Sequence, residues 1–144
     1  MLKINRKASV GWEGGLKDGR GTISTASGAL ADYPYGFASR FEGVAGSNPE
    51  ELLGAAHAAC FTMATSLALG NAGYTAERMD TSAEVTLEQV EGGFAITGIK
   101  LVMRARVPNI EDRQFRELAE TAKANCPLSK ALASVPMTLD AELV

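Results

Sequence analysis

The sequence predicts an α+β domain in which antiparallel sheets wrap around one long apolar helix. Three observations carry this. Apolar residues alternate with polar ones at both ends of the chain and again after residue 77. Between these stretches, from Glu51 to Glu77, no Asp, Glu, Lys or Arg occurs. The resulting order, βββ-α-ββ-α-α-β, lacks the regular βαβ repetition of a parallel sheet.

The first strand is read from Leu2 to Trp12, where Leu2, Ile4, Ala8, Val10 and Trp12 share one face and only Arg6 interrupts. Gly14-Gly15 and Lys17-Asp18-Gly19 turn the chain into a second strand, about Arg20 to Ser27. Tyr35 to Glu42 reads as a third strand with Arg40 near its end, so the N-terminal third is a meander. The pattern then changes period. Asn48-Pro49-Glu50-Glu51 is a helix start, with Asn48 as N-cap, Pro49 at the first helical position and acidic residues in the first turn. Gly70-Asn71-Ala72-Gly73 stops the helix.

Such an apolar stretch raises the question of a membrane span. Ala, Thr, Ser and His dominate over Leu and Ile, and no basic cluster flanks it, so a membrane span is not expected. The expectation is a helix buried on every side. A chain of 144 residues can hardly surround about six helical turns alone, and a second subunit is expected to supply the missing wall. Beyond the helix, Met79 to Leu87 alternates, Gly92-Gly93 turns, and Phe94–Val107 returns as a long hairpin. Asn109 is placed as the cap of a helix from Glu111 to about Asn125, with Phe115, Leu118, Ala119 and Ala122 inward. Cys126-Pro127 opens a short helix to about Ser134, and Met137 to Leu143 forms the last strand. With no repeat or linker, residues 1–144 are read as one domain.

Composition narrows the function classes. The chain is 46% hydrophobic and 22% charged, with a net charge of -3, as in an ordinary folded protein. No Lys/Arg stripe favours nucleic acid. Met1 to Lys7 lacks the apolar core of a secretion signal, so a cytoplasmic location is expected, where a structural disulfide does not persist. The two cysteines, Cys60 and Cys126, are then either core filler or reactive groups. Cys60 lies mid-helix, where burial alone would leave it inert, so it needs a cation brought by the fold; Arg40 and Arg20 are candidates. Cys126, before Pro127, stands at a helix N-cap and is locally the more acidic thiol. A low-pKa thiol can act as nucleophile or as leaving group, so local physics leaves the roles open. His57, three residues before Cys60, permits a Cys–His hydrolase, although no orienting acid is evident. The spacing of His57, Cys60 and Cys126 matches no zinc pattern, and the glycine clusters fit no nucleotide loop. Neither metal nor cofactor is expected.

The run Asn48-Pro49-Glu50-Glu51-Leu52-Leu53-Gly54-Ala55-Ala56-His57-Ala58-Ala59-Cys60-Phe61 resembles the helix signature of the OsmC/Ohr family of organic hydroperoxide reductases. Asn125-Cys126-Pro127 resembles that family's second cysteine motif, and Tyr35 to Gly43 is nearer its OsmC branch. The resemblance implies an OsmC-like intertwined homodimer with two long helices at its centre. It implies a thiol-dependent peroxidase for organic hydroperoxides, serving oxidative and osmotic stress defence. Cys60 is then the peroxidatic and Cys126 the resolving cysteine, with Arg40 the catalytic arginine and Glu50 the carboxylate that orients it. An earlier loop near Arg20 is the Ohr-branch alternative to Arg40. Phe37, Phe61 and Met63 are candidates to receive an alkyl chain. The implied partners are the hydroperoxide and an external dithiol, either a lipoylated protein or a small dithiol. The competing readings are the hydrolase and a non-catalytic dimeric stress protein.

Overall fold

The computed structural model describes all residues, 1–144, as two compact units, Met1–Pro49 and Glu50–Val144. In the first, β1 (Ala8–Glu13), β2 (Arg20–Thr25) and β3 (Tyr33–Tyr35) form an antiparallel sheet in the order β1-β2-β3. Its register aligns Trp12, Gly21 and Tyr35. The Trp12 and Tyr35 rings lie 5.5 Å apart above Gly21, where an added Cβ would overlap the Tyr35 ring. The first strand is shorter than its alternation suggests, and all six of its residues are exposed rather than half-buried.

The expected third strand is corrected. Extended pairing ends at Tyr35, and Phe37–Phe41 forms a short helix, α1. Ser39 accepts the Gly36 amide at 3.0 Å and faces the Ser47 carbonyl at 2.8 Å, which closes the turn locally. Phe37 and Phe41 satisfy a spacing of four as well as of two, and their rings pack at 4.9 Å. Period alone could not separate the two readings over so short a span.

The second unit holds the main core. The helix α2 (Pro49–Asn71) begins and ends where Asn48-Pro49 and Gly70–Gly73 suggest, and Gly73 takes a positive φ of 89°. The strands β4 (Arg78–Val90) and β5 (Gly93–Arg106) make the expected hairpin, with a register shift between Thr86 and Leu87. The helices α3 (Asp112–Asn125) and α4 (Pro127–Ala131) follow, then β6 (Met137–Leu143). The sheet order is β4-β5-β6. The three other strand pairs are antiparallel, but β6 runs parallel to β5, because α3 and α4 carry the chain back before it enters the sheet. Alternation marks strands but not their direction. Asn109 is also corrected. It takes a left-handed φ of 68°, and extended Glu111 occupies the N-cap of α3.

The α2 helix lies on β4. Gly54 faces Val85, where even an added Cβ would stand at an ordinary contact distance of 3.4 Å, and the Thr62 and Thr81 hydroxyls meet at 2.7 Å. Within the chain α2 buries one face, Glu50, Gly54, His57, Phe61, Thr65 and Leu69, rather than every side. That spacing is one helical stripe. Met63 and Leu67 on another face are 76% and 66% exposed. Phe61 and Leu69 join Leu101, Met103, Phe115 and Ala119 in the core.

Candidate active site

Two residues 66 positions apart in sequence meet in the second unit. Cys60 projects from the middle of α2, and Cys126 is the residue at which α3 ends and α4 begins. Both are free thiols, and they lie close enough that each shifts the other's ionisation. Cys60 is partly exposed while Cys126 is fully buried.

Their electrostatics differ. Burial, then the contact with Cys126, push the Cys60 thiol above its ordinary value, and the Leu128 amide opposes this. Burial is also the largest single influence on Cys126 and pushes upward. Yet the combined donors, Cys60, the Ser129 amide and hydroxyl and the Leu128 amide, bring it below its ordinary value. No capping hydrogen bond of ordinary geometry closes on Cys126. The amides of Leu128 and Ser129 therefore act as nearby dipoles more than as short bonds.

Cys60 opens into an apolar groove of about 850 Å³ between α2 and α3. Met63, Ala64, Leu67 and Ala68 line one wall, at helical spacing from Cys60, and Leu118, Thr121, Ala122 and Asn125 line the other. Asn125 and Pro127 flank the Cys126 corner. A smaller hollow of about 260 Å³ between α3 and β6 is bordered by Arg116, Glu120 and Asp140 and holds no thiol.

Of the residues expected in a site, the structure brings Cys60, Cys126 and Met63 together. Phe61 is a correction: it is 0% exposed and belongs to the core, because it lies on the buried stripe of α2 rather than on the groove stripe. Phe37 belongs to the first unit and borders a separate hollow of about 250 Å³ there, with Lys17, Arg20 and Tyr35. Arg40, on α1, is exposed and its guanidinium lies 5.3 Å from the Phe41 ring. Glu50 is nearly buried in the first turn of α2, ten residues before Cys60.

His57 is a buried histidine bonded to a neighbour and not to Cys60. Its Nε2 faces the Ser129 hydroxyl at 2.8 Å, and burial lowers its pKa. Sequence reading missed Ser129. The signal was present in Cys126-Pro127-Leu128-Ser129, which sets a hydroxyl three residues after an N-cap. No group of three His, Cys, Asp or Glu side chains could hold a metal ion.

A model of the family described as OsmC-like protein matches residues 42–140. Peroxiredoxin OsmC of Escherichia coli K12 is 51% identical over 142 residues, covering 99% of each chain. The organic hydroperoxide resistance protein of Xanthomonas axonopodis pv. citri is 32% identical over 92 residues, 60% of this chain and 59% of that one. Among solved structures, the organic hydroperoxide resistance protein OhrB of Bacillus subtilis matches with a TM-score of 0.72 and 29% identity, covering 96% of this chain and 98% of that one. The two cysteines and the helix signature lie inside the matched stretch, and the chain belongs to the OsmC-like protein family.

Proposed function

We propose that Cys60 reduces organic hydroperoxides to alcohols and that Cys126 resolves the product as a Cys60–Cys126 disulfide. The chain is a peroxidase-type oxidoreductase, a hydroperoxide-reducing stress protein. The observation that supports the mechanism is the nearness of the two free thiols, each shifting the other's ionisation, at an apolar groove that Cys60 enters and Cys126 does not. The Cys60 thiolate attacks the distal oxygen of ROOH, the O–O bond breaks, and the alkoxide leaves and takes up a proton as ROH. Cys60 is then a sulfenic acid. The Cys126 sulfur attacks it, the S–O bond breaks, and water departs as the disulfide forms. An external dithiol, a lipoylated protein or a small dithiol of the cytoplasm, restores both thiols.

Exposure and acidity point in different directions for the nucleophile. Cys126 is the more acidic thiol but is fully buried, so access decides for Cys60. Cys60 then requires a cation to become a thiolate at neutral pH. The family resemblance of Tyr35–Gly43 and Asn48–Glu51 supports Arg40 for that role, with Glu50 orienting it by a bidentate pair. The exposed apolar stripe of α2 supports a homodimer, in which a second copy covers Met63 and Leu67. The test is thiol counting before and after one equivalent of cumene hydroperoxide. Loss of two thiols per chain, joined as Cys60–Cys126, is expected; unchanged thiols would reject the mechanism.

A further inference from the structure

The mechanism so far leaves unused a fully buried histidine beside the reactive pair. His57 is 0% exposed, and its Nδ1 has no hydrogen-bond partner. Its Nε2 reaches across from α2 to Ser129 on α4, 72 residues away, at 2.8 Å. Ser129 is itself 7% exposed and stands three residues after Cys126, in the same turn of chain.

The proton positions follow from what each tautomer would leave unsatisfied. Burial favours the neutral ring, which carries one N–H. Were that proton on Nδ1, a donor would be orphaned in the core, and orphaned buried donors are rarer than unsatisfied acceptors. The proton therefore belongs on Nε2, which donates to Ser129 Oγ. The Ser129 hydroxyl keeps its own proton and cannot give it to His57. Without His57 it could turn back to the carbonyl one helical turn earlier, as helical serines do. With one lone pair engaged by His57, the hydroxyl is kept from that turn-back, and it stands in the first turn of α4 three residues after Cys126, whose ionisation it favours.

We propose that His57, acting through Ser129, is a positioning residue for the reductive half of the cycle: the pair holds a hydroxyl donor on Cys126, so that Cys126 departs as the thiolate when an external dithiol opens the disulfide. The inference rests on the disulfide of the preceding section. Cys60 is the reachable sulfur and Cys126 the buried one. The incoming dithiol's thiolate bonds to Cys60, the Cys60–Cys126 bond breaks, and its electron pair goes to Cys126. The second thiol of the reductant then displaces Cys60, leaving the reductant as a cyclic disulfide and both protein thiols reduced. A stabilised leaving thiolate speeds the first of these displacements.

The test separates the two half-reactions. Protein oxidised with one equivalent of cumene hydroperoxide is mixed with dithiothreitol in a stopped-flow instrument, and the peroxide reaction of the reduced protein is timed separately. In Ser129→Ala and His57→Leu, the ratio of reduction rate to oxidation rate falls about three- to tenfold. Ser129→Thr and His57→Gln keep a donor at each position and bring the ratio back to within about twofold of the starting protein. A merely structural role would slow both half-reactions together and leave the ratio unmoved, which overturns the proposal. Should His57→Leu fail to fold, the Ser129→Ala and Ser129→Thr pair decides alone. A monothiol such as glutathione, acid-quenched on the oxidised protein, is expected as a mixed disulfide on Cys60; an adduct on Cys126 overturns the assignment of the leaving group. If the unmutated protein forms no Cys60–Cys126 disulfide, the preceding reading fails and this one with it, and that is seen before any variant is made.

Discussion

Glu50 is expected to serve the Cys60 of the other subunit. Both residues stand on α2, whose helical hydrogen bonding runs unbroken from Pro49 to Asn71 and across Gly54. Ten residues separate them, so their Cα atoms lie roughly 15 Å apart along the axis and about 80° apart around it. A glutamate side chain spans about a third of that axial distance. Within one chain Glu50 therefore cannot approach the Cys60 sulfur, even with an arginine between them held close to the carboxylate. Two α2 helices packed antiparallel about a two-fold axis would bring the start of one toward the middle of the other. The perturbation is a pair of single variants, Cys60→Ser and Glu50→Ala. Each alone is expected to lose activity, about a hundredfold for Glu50→Ala through misplacement of the cation. Equal amounts are mixed and allowed to exchange subunits, so about half the dimers are mixed. If Glu50 acts in trans, each mixed dimer carries both lesions in one site and none in the other. Peroxide consumption then recovers to about a quarter of the unmutated rate. Recovery no greater than the sum of the parents, with exchange verified by mass spectrometry, refutes the geometric reasoning.

Three further outcomes follow from the site. As pH rises, thiolate absorbance at 240 nm should show one thiolate per chain forming below the ordinary thiol value of 9.0 and the second above it, because one member of the pair is lowered and the other raised. The two apparent values belong to the pair; a single two-thiol transition would contradict the contact. Phe61→Ala should cost about 3–5 kcal/mol in urea unfolding, since the ring is 0% exposed within its own chain. Met63→Ser should instead raise KM for long-chain hydroperoxides more than for tert-butyl hydroperoxide, and equal effects on both would remove Met63 from the alkyl path. Arg40→Met should reduce single-turnover oxidation of Cys60 at least about a hundredfold, with Arg20→Met changing it little; the reverse ranking would transfer the role to Arg20.

Elements governed by strong local rules were legible in the sequence. The start and stop of α2 follow from Asn48-Pro49 and Gly70–Gly73, and the β4–β5 hairpin from its alternation and paired glycines. What failed did so where two rules agree over a few residues. Phe37 to Phe41 satisfies both periods, and a serine bond to Gly36 decides for the helix. The parallel entry of β6 and the pairing of His57 with Ser129 were not legible because both join residues far apart in sequence, even though the place of Ser129 after its N-cap had a local signal. The approach of Cys60 to Cys126 was implied by the resemblance of the two cysteine motifs and not by local rules, which left the thiols as filler or reactive groups; the crossover of α3 and α4 brings the two near each other. Phe61 and Met63, two residues apart, point to the core and to the groove, a separation that helical geometry contains but apolar character does not.

The corner at Cys126 limits how the spacing of the two thiols can drift. The stretch between them has an elastic part and a rigid part. At the β4–β5 tip, Gly92 and Gly93 carry positive φ in the open, so residues added there lengthen a loop that touches nothing reactive. In α3 the situation is opposite, because Cys126 closes that helix and opens α4 in a single residue. One residue inserted into α3 would rotate everything beyond it by about 100° and advance it about 1.5 Å. The sulfur would swing away from Cys60 while β6 is still tied to its register on β5. Length variation among functional descendants of this chain should therefore gather at the hairpin tip and spare the fifteen positions from Glu111 to Asn125.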